Sequence, residues 1–225
     1  MNTSNHSNPA PAQDTNRLDD SHIVARIVRG EKELFEILLR RNNQKLYRVI
    51  RSYLKDEDDI RDAMQNTYLK AFDKLSQFQG DSAFSTWLIR IGINEALQRI
   101  KKQKLVQLHP LIDLTDAKVL QLPASKEMNP ENSVISREAK RLLEAAIDEL
   151  PEKYRTVYVM REVEGMNNEE VAVILGIEEN NVKVRHHRAK NLMKHTLLRL
   201  TADTSIFEFG NARCDALVNF VMARI

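Results

Sequence analysis

Residues 168–185 read Asn168-Glu-Glu-Val-Ala-Val-Ile-Leu-Gly-Ile-Glu-Glu-Asn-Asn-Val-Lys-Val-Arg185. Two short helices that meet at a steep angle need a small residue where they cross, and Ala172 supplies it. The turn between them needs a residue that accepts positive φ, and Gly176 supplies that. Val171, Leu175, Ile177 and Val182 fall where a small apolar core would form. The spacing predicts a helix-turn-helix whose second helix can enter a major groove, although an ordinary helical hairpin shares the Ala–Gly spacing. Asn180, Asn181, Lys183, Arg185, His187, Arg188 and Lys190 are then candidates to meet bases or phosphates. His186 follows Val182 by four and precedes Ala189 by three, so packing is expected of it rather than base contact. Neither histidine has partners at metal-ligand spacing.

Helical period extends outward in both directions. Helices are expected near 137–149, 152–163, 168–175 and 179–200, with Pro151 where a first-turn proline is tolerated. Upstream, Pro110, Pro123 and Pro130 interrupt residues 105–136, which read as a flexible linker. Before it, Leu34, Ile37, Leu38, Leu46, Val49, Ile50 and Tyr53 recur at three and four within a helix over 31–54. The acids Asp56 to Asp59 suit the positive start of a second helix running to about Leu75. Residues 76–82, with Gly80, read as a loop. Asp81 or Ser82 can cap a third helix to about Lys104. Beyond residue 200, Cys214, Leu217, Val218, Val221 and Ile225 form one stripe of a helix that Asn211 could cap. A lone short helix is marginal in water, so that stripe needs a surface to cover. The fold expected is all-α: a polar, disordered tail (1–20), a helical domain (21–104), the linker (105–136), a second helical domain (137–200) and an amphipathic C-terminal extension (201–225).

Composition narrows the function classes. No run of 18 apolar residues is present, so no membrane insertion is expected. The first twenty residues lack the basic start and apolar centre of a secretory leader, and the single cysteine, Cys214, excludes an intramolecular disulfide and a cysteine-cluster zinc site. A cytoplasmic location is the simplest expectation. No nucleophile–base set or phosphate-cradling glycine loop is visible, so no catalytic residue, metal or cofactor is expected. A helical metal-dependent hydrolase would need a His/Asp cluster, and residues 23–108 hold no histidine. The net charge of +2 is unevenly spread: residues 21–104 carry 17 Lys/Arg against 11 Asp/Glu, and Lys183 to Lys194 holds five basic residues and no acid. Such patches suit a polyanion such as DNA, although a single charge cluster is also how a solvated helix face looks.

Taken together, Leu150-Pro151-Glu152, Tyr154-Arg155, Val157, Arg161, Glu164-Gly165-Met166, Glu170-Val171-Ala172, Leu175-Gly176-Ile177, Val182-Lys183, Arg185 and Arg188-Ala189-Lys190 resemble domain 4 of bacterial sigma factors. In that family the domain reads the −35 promoter element. Asn181 stands where the family usually has threonine, and His186 where it usually has leucine. The segment Asp62 to Ala71 resembles the sigma domain 2 helix that docks on the β′ subunit of RNA polymerase. Its Asp62, Gln65, Asn66 and Leu69 share one face by spacing.

Phe84 to Ile91 and Asn94 resemble the element that engages the −10 region, with Gln98 in place of the family's usual aspartate. The resemblance implies −10 roles for Phe78, Gln79, Ser85, Thr86, Arg90, Asn94, Arg99, Lys101 and Lys102. Opening DNA needs apolar surface for unstacked bases and cations for the exposed backbone. Phe84 and Trp87 read as core anchors. Both domains in this order point to the small extracytoplasmic-function class. The partners implied are core RNA polymerase (β′ and β subunits), promoter DNA and an anti-sigma factor. A free-standing helix-turn-helix regulator would explain residues 165–195 but leave 31–104 without a role.

Overall fold

In the computed structural model, residues 18–108, 133–201 and 221–222 are described. Among them every regular element is helical, as the all-α expectation required. The order is α1 (Asp20–Val28), a 3₁₀ turn (Lys32–Leu34), α2 (Phe35–Arg51), α3 (Glu57–Asp73), a second 3₁₀ turn (Leu75–Gln77), α4 (Phe84–Leu108), α5 (Ser133–Glu149), α6 (Glu152–Tyr158), a π-helical turn (Val159–Val163), α7 (Asn168–Leu175) and α8 (Glu179–Thr201). The chain divides into two compact units, residues 1–127 with 151–189, and residues 128–150 with 190–225.

The first unit is built around α2, α3 and α4. Leu38, Leu46, Val49 and Ile50 on α2 are buried, and so are Phe84, Leu88, Ile89, Ile93 and Ala96 on α4. Each fully buried aliphatic chain contributes roughly 1.5–3 kcal/mol. Gly92 lets α4 lie close to α2: a Cβ there would stand 2.7 Å from Leu46 Cδ1. α3 starts on Asp56, whose side chain accepts from the backbone N–H of Asp58 and Asp59 at 3.0 Å. This satisfies two of the donors a helix start leaves open. Polar clasps fasten α3 to α4. Arg99 donates to Asp59 (2.6 Å) and Asp62 (2.7 Å), and Lys70 donates to Glu95 (2.6 Å).

The helix expected over 31–54 begins as a 3₁₀ turn and becomes α-helical only at Phe35. An additional helix, α1, precedes it and buries Ile23, Val24 and Ile27. Its start is tied down by Arg41, which donates to the Leu18 carbonyl (2.8 Å) and to Asp20 (2.7 Å). Residues 18–20 are therefore ordered, where the sequence reading put them in a disordered tail. α4 runs on to Leu108 and α5 starts at Ser133, so helix occupies both ends of the expected linker. Residues 109–132 lie outside the described residues. So does the C-terminal stripe, apart from residues 221–222, which are helical.

The same unit contains α6, the π-helical turn, α7 and the first half of α8. Val157, Met160, Met166, Val171, Ile174 and Val182 form a second apolar cluster, and Val49 of α2 with Ile89 and Ile93 of α4 belongs to it. Arg48 pairs with Glu164 at 3.0 Å, and the Glu164 side chain is only 5% exposed. The Tyr53 phenol shares a side-chain hydrogen bond with Thr156. In the second unit Ala146, Leu150 and Met193 are buried, and Arg199 pairs with Glu149.

Candidate nucleic-acid and polymerase interfaces

The helix-turn-helix is set by local chemistry at two points. Asn167 opens α7 with a capping box: its side chain accepts from the Glu170 N–H (2.8 Å), and the Glu170 carboxylate accepts from the Asn167 N–H (2.7 Å). Gly176 closes the helix at φ 63° and ψ 38°, the left-handed conformation expected of it. Val171 and Val182 are fully buried where the two helices meet.

The outer side of α8 carries the residues expected there. Asn180, Asn181, Lys183, His187, Arg188 and Lys190 are exposed, and Arg185 is half-buried. Several of them have neighbours that fix their direction. Lys183 pairs with Glu179 at 2.9 Å, and Arg185 donates to Asn181 at 2.9 Å. Arg188 is hydrogen-bonded to the Tyr154 phenol and, with nearby Lys153, holds its pKa below the usual tyrosine value. His186 is half-buried rather than packed in the apolar core, and its Nε2 lies 2.6 Å from Glu162 Oε1. Sequence reasoning missed the roles of Tyr154, Glu162 and Asn167. Only the last had a signal, the Asn-x-x-Glu spacing of a capping box.

On α3 the four expected docking residues differ in access. Leu69 is 65% exposed, and Asn66 is also exposed. Gln65 lines a groove of about 470 Å³ together with Leu39, Asn43, Tyr47, Ile60 and Met64. The groove's rim is polar: Tyr47 donates to Glu57 (3.0 Å), and Tyr68 donates to Asn43 (2.7 Å). Burial holds the Tyr68 phenol well above its ordinary pKa. The Asp62 side chain is only 13% exposed because Arg99 holds it.

On α4, Arg90, Asn94, Lys101 and Lys102 are exposed. Arg90, Asn94 and Lys101 fall at i, i+4 and i+11, one face of the helix. Gln79 is exposed in the preceding loop, and Ser85 is half-buried. Phe78 leans on an aromatic group, 5.7 Å from Phe84 and 5.6 Å from Trp87 between ring centroids. Phe84 is buried and Trp87 half-buried, the anchor role expected of them. Thr86 is 2% exposed, so its side chain faces the interior and not a strand. Arg99 points to Asp59 and Asp62, not to an open cationic edge. Among the described residues there is no cluster of metal-ligating side chains, and no helix is long and apolar enough to cross a membrane.

Comparison with known proteins gives two family matches in chain order, "Sigma-70 region 2" over residues 38–106 and "Sigma-70, region 4" over residues 140–193. The chain is 32% identical over 176 residues to proteins named ECF RNA polymerase sigma-E factor from Salmonella typhimurium and from Escherichia coli K12. That alignment covers 77% of this chain and 92% of each relative. The protein of the same name from Haemophilus influenzae is 30% identical over 183 residues, covering 80% of this chain and 96% of the relative. Two solved structures share the fold. CnrH, in complex with the cytosolic domain of CnrY, matches with a TM-score of 0.57 at 24% identity, covering 81% of this chain and 99% of that one. The sigma factor RpoE, in complex with the anti-sigma factor NepR from Bartonella quintana, matches with a TM-score of 0.55 at 23% identity, covering 74% and 98%.

Proposed function

Because the chain belongs to the sigma-70 family, among its extracytoplasmic-function (ECF) RNA polymerase sigma factors, we propose how its faces divide the family's work. A sigma factor binds core RNA polymerase and directs initiation at chosen promoters by recognising −35 and −10 elements and helping to open the DNA. The family consists of transcription regulators, and in our reading this chain supplies no reacting group and acts in the cytoplasm. The observation that carries the division is the exposed face of α8, set by the capping box at Asn167 and the left-handed Gly176.

On this reading Asn180, Asn181 and Lys183 read base edges in the −35 major groove, while His187, Arg188 and Lys190 meet phosphates. Arg185 is steered by Asn181 and works with it. Leu69, Asn66 and Gln65 dock on the β′ subunit, and Asp62 serves that face from behind through Arg99. The exposed side of α4, with Arg90, Asn94, Lys101 and Lys102, tracks the −10 strand beside Gln79, Phe78 and Ser85. Thr86 and Arg99 support that helix. The β subunit is a second polymerase contact. A partner of anti-sigma type belongs to the same reading, as it does for the RpoE–NepR pair.

The test is reconstitution of the chain with core polymerase on genomic DNA. Transcripts should start at a defined promoter set only when both are present. Gln65→Ala with Asn66→Ala should weaken core binding without loss of helicity. On randomised −35 elements, Lys183→Ala should relax one base position by about 1–3 kcal/mol, whereas Arg188→Ala should weaken all sequences and reduce the salt dependence. Normal core binding by the double variant would remove the docking assignment. Unchanged selectivity and affinity in both α8 variants would remove the −35 assignment.

A further inference from the structure

In the first half of α8 the apolar residues Val182 and Ala189 are fully buried, but Val184 is 43% exposed. At about 100° per residue, Val184 stands roughly 160° from Val182 around the helix axis. It therefore points away from the core. It follows Asn180 by four and Asn181 by three, and it precedes His187 by three and Arg188 by four, all exposed. Residues at these spacings are neighbours on a helix surface, so Val184 sits at the centre of the face they form.

Single exposed apolar residues are common on any surface, so position decides what this one does. A β-branched side chain gains nothing in helix propensity on a water-facing turn. Among the described residues, Val184 belongs to neither apolar cluster of the first unit. Its surroundings fit a polyanion: residues 180–190 contain no acid and carry Lys183, Arg185, Arg188 and Lys190. Three of these cations are held aside from the centre of the face. Lys183 pairs with Glu179 at 2.9 Å, and Arg185 donates to Asn181 at 2.9 Å. Arg188 is bonded to the Tyr154 phenol of α6, whose ring centroid lies 5.0 Å from Lys153 Nζ. The cationic edge suits phosphates, and Val184 is left facing whatever lies in the groove.

In a major groove the apolar group that a base pair presents is the 5-methyl of thymine. A valine pressed on that methyl removes both from water. Pressed on guanine O6 and N7, or on the amino group of cytosine, it would cover a polar atom without supplying a partner, which costs free energy. We propose that Val184 is a specificity-determining residue that reads the 5-methyl group of one thymine in the −35 element. The proposal rests on the assignment of α8 to that duplex.

The test uses the holoenzyme, the full chain with core polymerase. Selection from randomised −35 duplexes identifies the preferred A·T pairs. Each thymine of the preferred duplex is then replaced singly by deoxyuridine, which lacks only the methyl. One replacement should weaken binding about fourfold, the effect of one methyl group leaving an apolar contact. Val184→Ala should weaken binding to the thymine duplex by at least as much and make that same replacement neutral, the coupling expected of two groups in contact. Val184→Ile should keep the preference for thymine over uracil. Because Val184 is exposed, Val184→Ala should match the parent in core affinity and be no less stable to heat. A parent that binds every uracil-substituted duplex as tightly as the thymine duplex would overturn the methyl contact. So would a uracil effect that persists in Val184→Ala. Loss of core affinity in Val184→Ala with the thymine preference intact would also overturn it, and would give Val184 to a protein partner. These outcomes leave the −35 assignment standing. Absence of any −35 preference in the parent holoenzyme would instead overturn that assignment, and the methyl contact with it.

Discussion

At Gly176 the backbone is left-handed, and beyond the glycine and its two chain neighbours no heavy atom lies within 4 Å of where a Cβ would stand. The glycine is needed for its backbone alone. Gly176→Ala should therefore cost about 1 kcal/mol in urea unfolding and leave −35 selectivity intact in the folded protein. Gly92 is the opposite case, because a methyl group there meets the enclosed Leu46 side chain at 2.7 Å. Gly92→Ala should be the more damaging of the two, by overpacking of about 1–3 kcal/mol. The reverse order would contradict the close α2–α4 approach. Individual residues were also where sequence reading was least informative. Residue type and motif position assigned Thr86, Arg99 and Asp62 to binding faces. Which way each points depends on the rotation of α3 against α4, and that depends on packing distant in sequence.

Elements whose boundaries are set by local chemistry were legible in the sequence. The acids at 56–59, the turn at Gly176 and the apolar stripes of α2 and α8 each act within one or two helical turns. α1 was not legible, because its anchor is Arg41, more than twenty residues away. The π-helical turn was not legible either. An unbroken helical period ran over 152–163, yet the Glu164 N–H bonds the Val159 carbonyl at 3.0 Å, one residue wider than an α-turn. The linker was overestimated at both ends because prolines mark where helices cannot continue but not how far the flanking helices reach. The clasp between α3 and α4 yields a prediction at this scale. Arg99→Ala removes both bonds to Asp59 and Asp62 at a site that is mostly enclosed. It should lower stability by about 2 kcal/mol and weaken core binding by freeing Asp62. A variant of full stability would show that the clasp contributes nothing net. Arg99→Lys should recover only part of the loss, since lysine cannot bridge two carboxylates with a planar fork.

For the whole molecule, the enclosed Tyr53 makes stability depend on alkaline pH. Burial is the main cause of its rise from 10 to about 12, so the folded chain holds the proton where the unfolded chain has lost it. Its contribution is complete below pH 10 and is lost as pH climbs toward 12, by about 3 kcal/mol in all. Tyr68, raised in the same direction, adds to that slope. Tyr53→Phe should flatten the fall in stability between pH 10 and 12 relative to the parent, measured by denaturant midpoints. An identical slope would place Tyr53 in water. The docked helix-turn-helix has a further consequence, during synthesis. Val49, Ile89 and Ile93 leave the ribosome at least 64 residues before Val157, the first of their apolar neighbours beyond the linker. At about 5–20 residues per second that interval is roughly 3–13 s, and for its duration the nascent chain presents a sticky, unpaired patch to chaperones and to neighbouring ribosomes.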